Sequence, residues 1–147
     1  MKIVLGFDDS PHAQSALQWI CQQRWPEGTS VVVVSAVRAP IAVYAEVYVP
    51  VVPMPAEVAA DLGRHHVELA ARAQAELRGA GPPSDTRVLQ GDPREVLVDV
   101  ARGEGADLLV VGSHGRTGLA KLVLGSVAAH VVGHAPCSVM VVKRPRH

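Results

Sequence analysis

The sequence predicts an α/β protein: a single three-layer α/β/α domain on a five-stranded parallel sheet. Continuous apolar runs, such as Ile3 to Phe7 and Leu108 to Val111, are typical of strands buried on both faces. Amphipathic stretches with helical spacing alternate with these runs, which calls for right-handed crossovers that cover both faces of the sheet. A length of 147 residues suits one domain, so residues 1–147 are treated as one unit.

The first half of the chain predicts a strand, a helix and a second strand. The first strand ends at Asp8-Asp9-Ser10-Pro11, where Ser10 can cap a helix and Pro11 suits its first position. The helix is predicted to bury Ala13, Ala16, Leu17, Ile20 and Cys21 and to expose His12, Gln14, Gln18 and Gln22. The β-branched run from Val31 to Val37 predicts the second strand. Residues 38–56 hold four prolines yet are too apolar for a solvated linker, so they predict an irregular apolar loop, a lid or an interface.

The second half continues the alternation. A long helix is predicted from Glu57 to about Arg78 with Gly79 as its stop, and a short strand follows. Its buried face is predicted to contain Val58, Leu62, His66, Leu69, Ala73 and Leu77. The later elements are strand Thr86–Gln90, a helix capped at Asp92 and ended by Gly103 and Gly105, the strand at 108–111, a helix from Ser126 to about Val132 ended by Gly133, and strand Ser138–Val142.

The predicted strand order is 3-2-1-4-5, in which strands one and four are neighbours. Ligands of doubly wound sheets lie outside the carboxyl ends of the strands, at the point where the winding reverses. The loops after Asp8 and after Gly112 both leave carboxyl ends at this point. A ligand site is therefore expected between these two loops.

The loop after the fourth strand has the composition of an anion site. Gly112, Gly115 and Gly118 allow tight turns and close approach, while Arg116 and Lys121 supply positive charge. A helix then begins, and a helix start presents unpaired N–H groups that suit phosphate. The spacing matches neither a Walker A loop nor a dinucleotide fingerprint. An ordinary surface loop with turn glycines is the alternative.

Other patterns in the sequence exclude several classes. Fourteen basic and fourteen acidic residues, with 3% aromatic residues, do not resemble a nucleic-acid-binding surface. The apolar stretch 31–52 is interrupted by charges and prolines, so no membrane span is expected, and the start of the chain lacks a secretory pattern, so a cytoplasmic location is expected. Cys21 and Cys137 are interpreted as small core residues. His130 and His134 have helical zinc spacing but no evident third ligand, and His65 and His66 point to different helix faces.

One pattern identifies a family resemblance. Gly112-x-x-Gly115, nine residues and Gly125-Ser126, directly after the strand, resemble the ATP-binding branch of the universal stress protein family. The resemblance covers the whole chain: it includes the turn at 8–10, Gly-Asp-Pro at 91–93, the strand at 106–111 and the Cys-Ser-Val-Met-Val-Val ending. It implies a Rossmann-like adenine-nucleotide-binding fold.

The resemblance also implies a ligand and its contacts. The glycine loop, residues 112–118, would surround the ribose and phosphates, Asp8 would hydrogen-bond toward the nucleotide, and the end of the second strand would touch adenine. The implied ligand is ATP, or AMP or ADP, with Mg²⁺ or Mn²⁺ on the phosphates. The nucleotide-binding residues so implied are Gly6, Asp8, Ala36, Val111, Gly112, Ser113, His114, Gly115, Arg116, Thr117, Gly118, Gly125, Ser126 and Val127.

The chain departs from the family at Asp9, where glycine is common. This second carboxylate could bind the metal, point to solvent or weaken ATP binding, and the solvent orientation is placed first because exposed charges near loop ends are usually solvated.

Four functions are compatible with these features. The first is an ATP-binding regulatory module of the stress response with no catalytic residue assigned. The second is slow ATP hydrolysis or phosphate transfer, for which no general base is evident. The third is a phosphorylation receiver with Asp92 as acceptor, which the short sequence after Lys143 and the glycine loop disfavour. The fourth is a dimeric scaffold, since the resemblance implies a homodimer through the last strand, Ser138 to Val142. No nucleic-acid or membrane partner is expected.

Overall fold

Five parallel strands form the centre of the molecule in the order β3-β2-β1-β4-β5. The structure, a computed structural model, describes residues 1–38, 54–116 and 124–145. Along the chain the elements are β1 (Lys2–Gly6), α1 (Pro11–Gln22), β2 (Ser30–Val37), α2 (Ala56–Ala80), β3 (Ser84–Gln90), α3 (Pro93–Gly103), β4 (Leu108–Gly112), α4 (Ser126–His134) and β5 (Ser138–Val142). The predicted α/β class, element sequence and strand order are confirmed.

The helices cover both faces of the sheet, as the apolar strands require. On one face α1 and α2 pack against β1 and β2, and Leu17, Leu69 and Leu77 are fully buried there. On the other face α3 and α4 pack against β1, β2 and β4 through residues such as Leu97 and Val131. The register aligns Leu5 with Val33 of β2 and with Val110 of β4. The carboxyl ends of these three strands therefore meet at one edge.

The predicted helix ends are close to the observed ones. α3 ends at Gly103 as predicted, whereas α2 and α4 each continue one residue past the glycine predicted to stop them, Gly79 and Gly133. A Cβ at any of the three would meet nothing, and none has a positive φ. Each is a glycine that a helix tolerates. Gly105, with φ of 59°, does adopt the left-handed conformation expected after a helix.

Two further predictions need correction or lie outside the described residues. Val58 was expected on the buried face of α2 but is 46% exposed, because the first turns of α2 extend beyond the sheet contacts that bury Leu69 to Leu77. The loop predicted over 38–56 falls outside the described residues apart from its ends, and its last residue, Ala56, already begins α2. Within the described residues, no helix has both the length and the apolar character needed to cross a membrane.

The start of α1 packs directly on the end of β4, and Gly112 makes this contact possible. A Cβ on Gly112 would lie 2.5 Å from the carbonyl carbon of His12 and 2.8 Å from the backbone nitrogen of Ala13. Both are backbone atoms of a helix, which cannot move aside as a flexible side chain can. Gly112 is thus required by the packing of the fold as well as being predicted in the site.

We predict that Gly112→Ala lowers the free energy of unfolding by about 3 kcal/mol, since overpacking against backbone separates α1 from β4. The matched control is Gly63→Ala, in the middle of α2, where an added Cβ meets nothing. That change should stabilise the protein by about 0.5–1 kcal/mol through helix propensity. Urea unfolding of the two variants measures both effects, and equal stabilities would contradict the packing argument.

Candidate functional site

The turn between β1 and α1, residues 7–10, contacts the glycine loop through a serine. Ser10 caps α1 as predicted: its Oγ accepts the N–H of Ala13 at 3.1 Å. The same hydroxyl donates to the carbonyl oxygen of His114 at 3.4 Å. Ser10 is buried. One side chain therefore both begins a helix and joins the two loops that leave β1 and β4.

Asp8 and Arg116 form a second link between the loops. Arg116 Nε donates to the backbone oxygen of Asp8 at 2.9 Å, while Asp8 Oδ1 accepts the N–H of Ser10 at 3.1 Å. A Cβ on Gly115 would lie 2.9 Å from Asp8 Oδ2. The Asp8 carboxylate therefore lies directly against the glycine loop, and Gly115 leaves it the space to do so.

The start of α4 is held against the same loop. Gly125 donates its N–H to the carbonyl oxygen of Ser113 at 2.7 Å, and a Cβ there would lie 3.1 Å from that oxygen and from His114 Cα. Gly125 is the N-cap of α4, and within the described residues no side chain caps this helix. The first-turn N–H groups, including those of Ser126 and Val127, have no partner inside a helix. Together with the helix dipole, these groups favour an anion.

Ser113 fixes the loop to the sheet and to two histidines. It is 1% exposed, and its N–H donates to the carbonyl oxygen of Val142 in β5 at 2.9 Å. Its Oγ lies 3.1 Å from Nδ1 of His12 and 3.1 Å from Nδ1 of His114. His12 was predicted to face solvent, and this is wrong: it is partly buried, because the absence of a side chain at Gly112 lets the start of α1 pack on β4.

The pKa of His12 is lowered from its ordinary value. Burial is the largest cause, and electrostatic interactions with His114 and Arg144 act in the same direction, while Asp8 opposes them. His12 is therefore mostly neutral near pH 7. Sequence reasoning had one usable signal for it, since His12 directly follows the turn at the carboxyl end of β1.

Helix α2 brings a third element to this edge of the sheet. His66 is 7% exposed, and its Nδ1 lies 2.6 Å from Oγ of the fully buried Ser35 in β2. The neighbouring His65 is exposed, and its Nε2 lies 3.2 Å from Arg116 Nη2. Burial is the main cause of a lowered His66 pKa, followed by electrostatic interactions with Arg116 and His65, with Asp8 opposing. Sequence reasoning placed His66 correctly on the buried face but gave it no role.

The structure gathers most of the predicted site residues at this edge. Asp8, the Ser113–Arg116 segment and Gly125 are in mutual contact, and Ser126 and Val127 begin the helix that follows. Thr117, Gly118 and Lys121 lie outside the described residues.

The remaining predicted residues lie at strand ends. Val111 is 3% exposed and packs in the apolar layer beneath α3 and α4. Ala36 is half-buried and pairs with Leu89 of β3. A Cβ on Gly6 would lie 2.9 Å from Leu97 Cδ1, so packing of α3 is one reason for glycine there.

Asp9 adopts a left-handed backbone conformation, with φ of 66°. Glycine adopts this conformation freely, whereas aspartate does so at some cost. This explains physically why glycine suits the position. The Asp9 side chain is 46% exposed and lies 3.5 Å from Arg72 Nη2, a surface ion pair that contributes little. Within the described residues no three His, Cys, Asp or Glu side chains are placed to hold a metal.

Asp92 lies apart from the two loops. It caps α3 by accepting the N–H of Arg94 at 2.9 Å, and its hydrogen bonds with the Arg94 side chain lower its pKa to about 2. It follows β3, and β2 separates β3 from β1. A receiver needs its acceptor beside the acidic turn after β1, so this arrangement argues against the receiver hypothesis.

The sheet order and the joined loops define a doubly wound α/β protein whose ligand edge lies at the β1–β4 switch point. A model of the universal stress protein family matches residues 1–143. The chain therefore belongs to the universal stress protein family.

Relatives differ in how much of their length the chain matches. A universal stress protein of Thermus aquaticus is 33% identical over 145 residues, which cover 96% of this chain and 97% of that protein. One from Methanocaldococcus jannaschii is 46% identical over 61 residues, 42% of this chain and 36% of the relative. One from Mycobacterium tuberculosis is 32% identical over 142 residues, 95% of this chain and 46% of the relative. The chain thus spans less than half of the last two proteins.

Solved structures share the fold. A universal stress protein in complex with cAMP has a TM-score of 0.70 at 24% identity, covering 97% of this chain and 96% of that one. The Archaeoglobus fulgidus protein in complex with dAMP scores 0.69 at 21% identity, covering 97% and 98%. An Arabidopsis thaliana family member with AMP bound scores 0.62 at 21% identity, covering 99% and 92%. At these identities the likeness shows the fold.

We predict that Asp9→Gly is more stable than Asp9→Ala by about 0.5–1 kcal/mol. Both variants remove the same charge, but alanine is strained at this φ, and the greater freedom of unfolded glycine offsets part of the difference. Thermal and urea unfolding of the pair measure the backbone effect with the charge held constant. Equal stabilities would show that residue 9 is not left-handed in solution.

Proposed function

We propose that this chain is a regulatory module that binds an adenine nucleotide, with ATP as the first candidate, at the edge formed by β1 and β4. The nucleotide sets its conformation or its oligomeric state. The observation that carries the proposal is the start of α4, a helix N-terminus with no side-chain cap among the described residues. Gly125 holds it against the loop at Ser113 and His114, and the Asp8 carboxylate lies against Gly115 of the same loop. The complexes of related folds with cAMP, AMP and dAMP support an adenine nucleotide.

The charges of the site suit the two ends of such a ligand. The first-turn N–H groups of α4 and the Arg116 guanidinium suit phosphate oxygens. The Asp8 carboxylate accepts hydrogen bonds and repels phosphate, so it suits ribose hydroxyls. The Asp8 Oδ2 position next to Gly115 places this acceptor beside the loop that would surround the sugar.

A divalent metal, Mg²⁺ or Mn²⁺, is part of the proposal as a companion of the phosphates. The donor set fits only a metal held mainly by phosphate oxygens, because Asp9 faces Arg72 and is half exposed. When bound, the ion would neutralise part of the triphosphate charge. We assign no catalytic residue, and slow ATP hydrolysis remains the alternative that phosphate release would reveal.

The outer strand β5 supports a homodimer as part of the same proposal. It pairs with β4 on one side and ends the sheet, and Met140 is 37% exposed. An apolar edge strand presents unpaired backbone groups that a second copy can satisfy. A second copy of this chain, docking along Ser138–Val142, is the proposed partner.

We predict that the protein binds ATP in the presence of Mg²⁺ and that Gly115→Ala weakens this binding at least tenfold. The added methyl group would displace the Asp8 carboxylate, which it meets at 2.9 Å. Gly103→Ala, in open space at the end of α3, is the matched control and should bind like the wild type. Calorimetric titration with ATP, repeated with EDTA, measures affinity and metal dependence.

Absence of wild-type binding at millimolar ATP would overturn the proposed function. Steady phosphate release that Gly115→Ala abolishes would instead establish the enzymatic alternative.

We predict a dimer at micromolar concentration that Met140→Glu converts to a monomer, because a carboxylate on the outer strand resists burial between two copies. Val132→Glu is the control: it changes an apolar side chain that is 54% exposed on α4, away from the β5 backbone. Light scattering distinguishes the outcomes, and a monomeric wild-type protein would contradict the proposed dimer.

A further inference from the structure

The buried stripe of α2 begins with a polar residue. The buried residues of this helix are His66, Leu69, Ala70, Ala73 and Leu77. The four that follow His66 are apolar core residues against the sheet. His66 is the first of the five along the helix and contacts Ser35, near the carboxyl end of β2. It therefore lies where the core ends and the edge with the proposed site begins.

One ring nitrogen of His66 is fixed and the other is not. Nδ1 is held by Ser35 Oγ at 2.6 Å. The structure gives Nε2 no hydrogen-bond partner among the described residues. Of the buried side-chain polar atoms in those residues, Ser84 Oγ alone lacks a partner. Nε2 is thus not among the buried unpaired atoms, and the residue that carries it is 7% exposed.

The surroundings place the His66 ring near the proposed nucleotide site. Arg116 donates to the Asp8 backbone at 2.9 Å and lies 3.2 Å from His65, the residue next to His66. Arg116 and Asp8 are both close enough to perturb the pKa of His66, in opposite directions. Ser35 precedes Ala36, the residue predicted to touch the base. His66 thus contacts the residue that precedes the predicted base contact and lies within electrostatic range of Asp8 and Arg116.

We propose that His66 is a nucleoside-contact residue: Ser35 holds Nδ1, and Nε2 makes a hydrogen bond to the base or ribose of the bound nucleotide. This inference rests on the proposed function. A neutral imidazole suits the role because its single free nitrogen can match a ribose hydroxyl or an adenine edge without attracting the phosphates. The phosphates are assigned in the proposed function to the start of α4 and to Arg116.

A purely structural role is the competing explanation, since the Ser35–His66 bond also ties α2 to β2. Two substitutions separate the roles. His66→Asn places an amide near the Nδ1 position, so it can keep the bond to Ser35, but it has no group at the Nε2 position. His66→Gln extends an amide to the Nε2 position and can keep the contact with the nucleotide.

The experiment titrates wild type, His66→Asn and His66→Gln with ATP and with inorganic tripolyphosphate, which has no nucleoside. We expect His66→Asn to weaken ATP binding about tenfold, the loss of one good hydrogen bond, and to leave tripolyphosphate binding unchanged. His66→Gln should bind ATP within about threefold of wild type. Rescue by glutamine and not by asparagine is a result that a structural role does not produce.

The outcomes that overturn the inference are distinct from those that overturn the proposed function. If the wild-type protein binds no ATP, both the proposed function and the role of His66 are overturned. If His66→Asn binds ATP as tightly as the wild type, or loses affinity for ATP and tripolyphosphate equally, the proposed role of His66 is wrong. Neither result contradicts the proposed nucleotide site.

Should the variants fail to fold, nitrogen-15 NMR of the wild-type histidine rings gives the answer. The His66 Nε2 resonance should shift with saturating ATP and stay in place with tripolyphosphate. An unshifted resonance overturns the inference.

Discussion

The close approach of backbone to backbone at the β1–β4 edge is the constraint on which the site depends. At Gly112 the start of α1 comes so near to β4 that a Cβ would lie 2.5 Å from its backbone, and at Gly125 the start of α4 touches the loop after β4. These contacts set where two helices begin. The positions of Ser10, Asp8 and the first turn of α4 follow, because each is attached to an element fixed by one of these contacts.

At the same edge, the Asp8 carboxylate and the Arg116 guanidinium do not neutralise each other. Arg116 donates from Nε to the Asp8 carbonyl oxygen, and the structure records no ion pair between its guanidinium and the Asp8 carboxylate among the described residues. A direct ion pair would use up the acceptor and the cation together. Instead the acid lies against Gly115 and the cation extends past it toward His65. An edge built this way presents an acceptor and an anion-attracting surface side by side, which suits a ligand with hydroxyls at one end and phosphates at the other.

Much of this arrangement can be predicted from the sequence because its signals are local. Apolar runs identify the strands, and Ser10 and Asp92 cap helices as their neighbours predict. Alternation and handedness predict a parallel sheet covered on both faces. What the sequence does not reveal depends on distant partners: His12 reaches Ser113 across 101 residues, and His66 reaches Ser35 across 31. Asp9 is a third case, since a positive φ at a residue other than glycine leaves no pattern in composition.

Two histidines at this edge, His12 and His66, act as neutral hydrogen-bonding groups and not as cations. Burial lowers the pKa of both His12 and His66, and the nearby cations lower it further, so both rings are mostly neutral near pH 7. Arg116 and the dipole of α4 supply positive charge on the side proposed for phosphate. The neutral rings serve as hydrogen-bonding groups: one braces the loop through Ser113, and the other joins α2 to β2 beside the site. A charged histidine at position 66 would add positive charge on the side proposed for the nucleoside, so a neutral ring accords with the proposed separation of nucleoside and phosphates.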